Sequence, residues 1–311
     1  SLKDETGLDF YLRHYTTLLE PLLDLSRHGI RMDAHKRKYR LMELMANCID
    51  MQDKLTALSG VQLYGTTSLS VAKLKKYLYE QLALPKQWRK RKDTGEKTET
   101  VDEVAVRRLM ERHPTCLPLQ ATGPLMLEHR HQQTLLHFYK TERIDEDGRY
   151  RSSYSPNTEA GRLSSSRNPR GTGSNAQNVS REARDIFLAD AGMVGIEVDA
   201  SQAEARIDYL LIYRLTQDRS VLDKARLRPD EYDQHTENAA AIFNKPATDI
   251  TKEERYLGKK AVHAAFRDMQ GQKLADELLK EGRIYSADQC DKLIKAFRNR
   301  LGVGYIEDLF R

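Results

Sequence analysis

The chain has 311 residues, which is enough for about two domains and a sizeable apolar core. Its three cysteines, Cys48, Cys116 and Cys290, are widely spaced and odd in number, which argues against a disulfide framework or a paired zinc site. No run approaches the ~20 apolar residues of a membrane span, and no signal-peptide pattern is present, so we expect a soluble, cytoplasmic protein. The 51 basic and 46 acidic side chains give a net charge of +5, which is compatible with nucleic acid without establishing it.

Helical periodicity dominates the first 140 residues. Apolar residues recur three and four positions apart from about Leu8 to Leu55, and Asp33 is placed to cap the second helix of this stretch. Ser70 is a plausible N-cap for another helix, which Pro85 would end. Two further helical stretches are predicted between residues 98 and 140. We interpret the apolar residues of all these helices as core.

A basic run extends from Lys86 to Lys92. Such a run is usually a solvated loop. The alternative is a mobile tip that holds nucleic-acid phosphates through Arg89, Lys90 and Arg91, with the neighbouring Trp88 as an anchor or stacking group.

The sequence changes character after residue 145. From Asp145 to Arg184 it is rich in Ser, Asn, Gly, Arg and Thr, which predicts a long functional loop. Residues 193–198 predict a short strand, and residues 201–215 predict the helix that follows it. Asp199 lies between them, where its carboxylate could bind Mg²⁺, although an Asp in this place is more often a helix N-cap.

The rest of the chain, from Asp233 onward, predicts helices. One of them carries four residues at strict i, i+4 spacing, namely Arg255, Lys259, His263 and Arg267. They share one face, where like charges repel by roughly 0.2–0.5 kcal/mol per pair unless an anion bridges them. A polyphosphate would supply that anion. The alternative is the solvated face of an amphipathic helix.

Three ordered signatures resemble the DNA polymerases of family A, the bacterial polymerase I type. The first is a T-x-x-G-R-L-S-S segment that contains Arg162 and precedes an N-x-Q-N segment. The second, from Asp199 to Arg206, reads DASQAEAR and is similar to motif A. The third runs from Arg255 to Lys259 and is similar to motif B.

The resemblance covers nearly the whole chain and is strongest from Tyr154 to Gly271. It implies an α+β, predominantly helical right-hand polymerase fold fragment. The thumb would occupy residues 1–145, the partial palm with motif A residues 146–215, and the fingers with motif B residues 216–311. The implied function is template-directed DNA synthesis. In this reaction a nucleotidyl group passes from a deoxynucleoside triphosphate to a primer 3′-hydroxyl with the help of two Mg²⁺ ions.

The resemblance also implies roles for the residues of motif A. Asp199 would bind both metal ions, assisted by the backbone carbonyl of Ala200. Ser201 and Gln202 would belong to the same nucleotide-binding segment. Glu204 would lie beneath the nucleotide sugar as a steric gate that rejects a 2′-hydroxyl.

In motif B, Arg255 and Lys259 would bind the incoming triphosphate, and Lys259 would also take part in catalysis. His263 falls where the family often has an aromatic residue against base and sugar. His235 lies in a D-x-H-T segment and would donate to a phosphate oxygen, although an isolated His is more often structural.

Contacts with the primer terminus are implied for Arg162, Gln177 and Asn178. Side chains of these types suit minor-groove acceptors, which every base pair presents. The serines of the same segment have an alternative role, in which they form hydrogen bonds with the backbone of their own polar loop and do not contact DNA.

The sequence departs from the family pattern in three places. Tyr usually stands at the position of Ala200, and Tyr-Gly at the positions of Arg267 and Asp268. No His-Asp-Glu triplet of motif C occurs in the 311 residues, and Val101-Asp102-Glu103 is only superficially similar. We therefore expect an incomplete fragment or one subunit of a split polymerase, with the rest of the palm on a separate chain.

Two other functions remain open. A single-subunit RNA polymerase has related motifs, but Glu204 argues against it because a sugar gate favours deoxynucleotides. A non-catalytic module that binds primer-template DNA is favoured by the missing motif C. The Gly-Lys-Lys and His263 variants of motif B suggest a phage-like polymerase from a bacterial or phage-infected cell.

Overall fold

The computed structural model describes residues 8–9, 11–66, 68–91, 94–140, 144–156, 158, 162–198, 203–228 and 231–301. The chain forms two compact units, Ser1–Val101 with Leu109–Ile196, and Asp102–Arg108 with Glu197–Arg311. The fold is α+β and predominantly helical, as expected from the sequence. In the described ranges, no helix is both long and apolar enough to cross a membrane.

The helices of the first half lie where the periodicity predicted them, but the interpretation of all their apolar residues as core is wrong, because Leu19, Leu23 and Met45 are 44–60% exposed. These helices are α1 (Thr17–His28), α2 (Ala34–Ser59), α3 (Val71–Lys75), α4 (Glu103–Arg112) and α5 (Leu117–Tyr139), with π-helical turns at Tyr11–Thr16 and Lys76–Gln81. Both predicted caps are confirmed. The Asp33 carboxylate accepts a hydrogen bond from the Lys36 backbone at 2.9 Å, and the Ser70 hydroxyl accepts one from the Lys73 backbone at 3.5 Å.

The core of the first unit lies where α2 packs against α5. Leu44 of α2 and Leu135 of α5 are buried together with Tyr150 and Ile186. Burial of apolar side chains at this interface supplies the main driving force for folding of the unit.

Within the described residues, seven short strands form three small antiparallel sheets. They are β1 (Ile30–Met32), β2 (Trp88–Lys90), β3 (Lys97–Glu99), β4 (Arg149–Tyr150), β5 (Ser153–Ser155), β6 (Ser164–Ser166) and β7 (Phe187–Leu188). The first sheet has the order β4-β1-β7, and β2 with β3 and β5 with β6 form two-stranded sheets. The pairs Ile30↔Tyr150 and Met32↔Phe187 fix the register around β1.

Two predictions are corrected by these strands. The basic run is not a plain loop, because Trp88 to Lys90 pair with Lys97 to Glu99. Conversely, residues 193–198 form no strand, and Val194, Ile196 and Val198 are 80–88% exposed. A strand requires a neighbour for its backbone N–H and C=O groups, and no described strand pairs with this segment.

The second unit is built from helices. They are α6 (Ala203–Thr216), α7 (Arg219–Arg226), α8 (Gln234–Phe243), α9 (Lys252–Phe266), α10 (Gly271–Lys280) and α11 (Ala287–Leu301). Their core contains Leu257, Val262, Leu274, Ile294 and Phe297. The helical character predicted from Asp233 onward is confirmed for these helices.

Helix α9 is held in place by a capping box and by a close approach to α8. Thr251 and Glu254 exchange hydrogen bonds at its first turn. At Gly258, an added Cβ would lie 2.8 Å from the Cβ and 2.9 Å from the Cα of Ala239, so only glycine fits without a shift. This contact brings the start of α8 close to the first turns of α9.

Candidate functional site

The cationic ridge predicted on α9 lines a groove in the second unit. The cavity has a volume of about 810 Å³. Its lining includes all four ridge residues, Arg255, Lys259, His263 and Arg267. Glu204, near the start of α6, lines the same groove. The structure therefore brings together four of the nucleotide-binding residues predicted from the sequence: Glu204, Arg255, Lys259 and His263.

Arg255 is engaged by a carboxylate at the start of α8. Its Nε donates to Asp233 Oδ2 at 2.6 Å and its Nη2 to Asp233 Oδ1 at 3.0 Å. Asp233 also accepts from the Thr236 hydroxyl at 2.6 Å and from the His235 backbone at 3.1 Å. Burial opposes ionisation of Asp233, but the hydrogen bonds from Arg255 and Thr236 outweigh it and lower the pKa to about 2.

A second carboxylate lies at the other end of the ridge. The Nη2 atom of Arg267 donates to Glu204 Oε2 at 2.8 Å, and His263 Nδ1 lies 3.7 Å from the same oxygen. Burial lowers the pKa of His263, although Glu204 partly opposes this shift. Repulsion along the ridge was predicted to need an external anion, but protein carboxylates already neutralise its two ends.

Lys259 differs from its neighbours on the ridge. Its side chain is exposed, and among the described residues it forms no ion pair. Along the i, i+4 row of α9, Lys259 lies between the two paired arginines, Arg255 and Arg267. A free cation in a groove is suited to bind an anionic ligand, because charge-assisted hydrogen bonds to phosphate oxygens are strong.

His235 lies behind the ridge and is 5% exposed. Burial, followed by the positive charges of Lys259 and Arg255, lowers its pKa to about 4. Its ring centroid is 6.2 Å from that of His263, and its Nδ1 has no hydrogen-bond partner among the described atoms. At neutral pH this imidazole is therefore uncharged and can donate only through one N–H.

Sequence reasoning missed Asp208, one helical turn beyond Glu204 on α6. Burial and the neighbouring Glu204 carboxylate raise its pKa to about 6, while Arg267 opposes the shift. The i, i+4 spacing of the two acids was the available signal, because two carboxylates at that spacing raise each other's pKa.

Four predicted residues of motif A, Asp199, Ala200, Ser201 and Gln202, lie outside the described residues. They include both proposed metal ligands. In the part of the chain that is described, no group of three or more His, Cys, Asp and Glu side chains could hold a metal ion.

The predicted primer-contact residues lie in the first unit. Gln177 and Asn178 form an exposed 3₁₀ turn, Ala176–Asn178, and Arg162 is also exposed. The Gln177 side chain donates to the Leu163 carbonyl at 3.0 Å and accepts from Ser165 at 3.3 Å. These contacts favour the self-satisfied polar loop for Ser165 while leaving much of the turn open to solvent.

The basic hairpin of β2 and β3 also belongs to the first unit. Arg89, Lys90 and Arg91 are exposed, and Trp88 is 54% exposed. Trp88 is therefore available for stacking rather than serving as a buried anchor.

Comparison with known proteins agrees with these features. Residues 40–304 match DNA polymerase family A. The fold is similar to a solved structure described as the POL domain of Pol1 from M. smegmatis in complex with DNA primer-template and dNTP. The two share 23% sequence identity with a TM-score of 0.71, and the match covers 97% of this chain and 49% of that chain.

This chain thus spans about half the length of that solved chain. No curated protein matches the sequence. The family match extends over most of the 311 residues, and the structural likeness shows a polymerase-domain fold. Both agree with the resemblance seen in the three sequence signatures. The chain belongs to DNA polymerase family A.

Proposed function

We propose that this chain binds a deoxynucleoside triphosphate and primer-template DNA for template-directed DNA synthesis. The reaction would transfer a nucleotidyl group from the triphosphate to the primer 3′-hydroxyl. Support comes from family membership, and from the solved neighbour, which is described as a complex with both ligands. The single observation that carries the proposal is the open Lys259 ammonium in a groove whose other ridge cations are already held.

In this proposal the triphosphate lies along α9. Lys259 would bind its phosphate oxygens directly, and Arg255 would join it by sharing or leaving Asp233. Neutral His235 could donate one hydrogen bond to the same phosphates. Phosphoryl transfer needs mainly charge stabilisation and positioning, so groups of this kind supply what the chemistry requires.

Mg²⁺ would be held by Asp199 and the Ala200 carbonyl. A carboxylate and a carbonyl oxygen are hard oxygen donors, which Mg²⁺ prefers together with water and phosphate oxygens. When bound, the ions would neutralise charge on the attacking and leaving oxygens. Glu204 would exclude a ribose 2′-hydroxyl from the site.

We assign primer-template contacts to the first unit. Arg162, Gln177 and Asn178 would contact the primer terminus, and Arg89, Lys90 and Arg91 would hold duplex phosphates. The assignment of residues 1–145 as thumb, 146–215 as palm and 216–311 as fingers belongs to the same proposal.

The direct test is Mg²⁺-dependent binding of dATP to the chain on a primer-template. Lys259→Ala removes a charge-assisted hydrogen bond, so the Kd should rise about 10- to 100-fold, equivalent to roughly 1.5–3 kcal/mol. Lys273→Ala is a matched control, because Lys273 is exposed on α10 and does not line the groove. Equal affinity of the wild type and Lys259→Ala would refute the phosphate-binding role.

A second candidate function, for these 311 residues by themselves, is primer-template binding without turnover. The 311 residues contain no His-Asp-Glu triplet. We expect the chain alone to bind a primed template with little extension, and a second chain carrying that triplet to restore synthesis. Extension by the chain alone at ordinary polymerase rates would contradict this candidate.

A further inference from the structure

The ion pair between Glu204 and Arg267 joins two elements of the groove. Glu204 is the second residue of α6, and Arg267 directly follows the last residue of α9. They are 63 positions apart in sequence, yet the guanidinium donates to Glu204 Oε2 at 2.8 Å. Both side chains line the groove that contains Lys259.

The surroundings of Glu204 explain why its orientation needs a cation. Asp208 lies four residues later on α6, and the two carboxylates repel each other across one helical turn. His263 adds a third group 3.7 Å from the same Glu204 oxygen, but burial favours its neutral form. Arg267 is thus a permanent positive charge in contact with this carboxylate.

The exposure of the pair sets the size of its effect. The side chains of Arg267 and Glu204 are 53% and 47% exposed, so their attraction adds little to folding stability. Loss of the arginine would remove the 2.8 Å hydrogen bond that restricts the staggered rotamers open to the Glu204 side chain. The main consequence of the ion pair is therefore a fixed carboxylate rather than a more stable protein.

We propose that Arg267 is a positioning residue for Glu204, and that the discrimination of this chain between deoxyribose and ribose depends on the Arg267 charge. This inference rests on the proposed function of the groove. Family members usually have an uncharged Tyr at the Arg267 position, so the charge is a feature of this chain. A gate held by an exposed ion pair is weakened by salt, which screens such pairs.

The test compares the Kd of dATP with that of ATP, in the presence of Mg²⁺ and a primer-template with T in the templating position. Arg267→Gln keeps a long polar side chain but removes the charge. If Glu204 spreads over several rotamers, the preference for dATP should fall about 3- to 10-fold, mainly through tighter ATP binding. Arg267→Lys should retain most of the preference, and 0.5 M salt should reduce it in the wild type more than in Arg267→Gln.

Two controls separate a positioning role of Arg267 from a non-specific effect of the substitution on folding or nucleotide binding. Lys292→Gln removes an exposed ion pair outside the groove, because Lys292 Nζ lies 2.7 Å from Asp288 Oδ2 and neither residue lines the groove, and it should leave the preference unchanged. In a Glu204→Ala background, Arg267→Gln should cause no further loss, since the residue that it orients is gone. Thermal unfolding should be similar for wild type and Arg267→Gln.

The possible outcomes separate failure of the Arg267 positioning role from failure of nucleotide binding in the groove. An unchanged dATP preference in Arg267→Gln overturns the positioning role while leaving nucleotide binding intact. A further loss on adding Arg267→Gln to Glu204→Ala also overturns it, because Arg267 would then act on the nucleotide directly. If the wild-type chain binds neither nucleotide, the proposed function itself fails.

Discussion

The Arg255 guanidinium is bound in bidentate fashion by the Asp233 carboxylate, with nitrogen–oxygen distances of 2.6 and 3.0 Å. Asp233 also accepts the backbone N–H of His235 as the N-cap of α8. One carboxylate therefore fixes a helix start and occupies the arginine that we assign to the triphosphate. A phosphate and a carboxylate compete for the same guanidinium fork.

Removing the Asp233 charge should strengthen triphosphate binding. Asp233→Asn retains an N-cap side chain but releases Arg255, which is 41% exposed. The competing pair contributes about 1 kcal/mol at such exposure, so the Kd of dATP should fall up to roughly fivefold. Asp218→Asn is the matched control, because Asp218 caps α7 in the same way. Weaker binding by Asp233→Asn would mean that Asp233 orients Arg255 for the ligand.

His235 should make the protein sensitive to mild acid. Its pKa is lowered from 6.5 to about 4, so between these values the unfolded chain binds a proton that the folded chain does not. The free energy of unfolding is therefore unaffected by this site above pH 6.5. As the pH falls from 6.5 toward 4, it decreases by up to roughly 3 kcal/mol. His235→Gln should flatten this dependence in urea unfolding measured from pH 7 to 4. An equal slope in both proteins would show that the buried imidazole is not responsible.

Asp208 should give the free energy of unfolding the opposite pH dependence to that expected from His235. Its pKa is raised from 3.8 to about 6, so the folded chain binds the extra proton between these values. The site destabilises the fold as the pH rises through 6. Asp208→Asn should therefore raise the free energy of unfolding at pH 8 by about 1–2 kcal/mol, with little change at pH 4. A variant less stable than wild type at pH 8 would indicate that attraction to Arg267 outweighs burial.

Gly258 should be sensitive to the smallest substitution. Alanine favours a helix by about 1 kcal/mol, but its Cβ would lie 2.8 Å from the Ala239 Cβ. We expect Gly258→Ala to destabilise the second unit by about 1–3 kcal/mol and to weaken dATP binding, because α8 and α9 must separate.

Ala239→Gly in the same protein provides the control. It removes the Cβ that Gly258→Ala meets, but leaves the Ala239 Cα at 2.9 Å, so rescue of stability should be partial. If Gly258→Ala alone is as stable as wild type and binds dATP equally, the close helix contact does not position the ridge.

Features that depend on neighbouring residues were predictable from the sequence. Asp33 and Ser70 act as helix caps because the hydrogen bond runs to a backbone amide three residues away. The ridge from Arg255 to Arg267 follows from helical spacing alone. Residues 193–198 show the limit of such prediction. The local sequence predicted a strand, but a strand needs a partner strand beside it, and no described strand pairs with these residues.

The partners of the ridge could not be found from spacing. Asp233 lies 22 residues before Arg255, and Glu204 lies 63 residues before Arg267. Packing of α8 against α9 brings Asp233 to Arg255, and no local pattern encodes that distance. The resemblance to family A placed Glu204 in the nucleotide site, but its ion pair with Arg267 depends on a residue at which this sequence departs from the family.

The central claim is that the groove along α9 holds a triphosphate. An experimental structure of the chain with primer-template DNA, Mg²⁺ and a non-hydrolysable dATP analogue tests it most directly. We predict phosphate oxygens within about 2.7–3.2 Å of the Lys259 ammonium and the Arg255 guanidinium, with Asp199 facing the same phosphates. A triphosphate bound elsewhere, or an Asp199 carboxylate buried away from Lys259, would contradict the account.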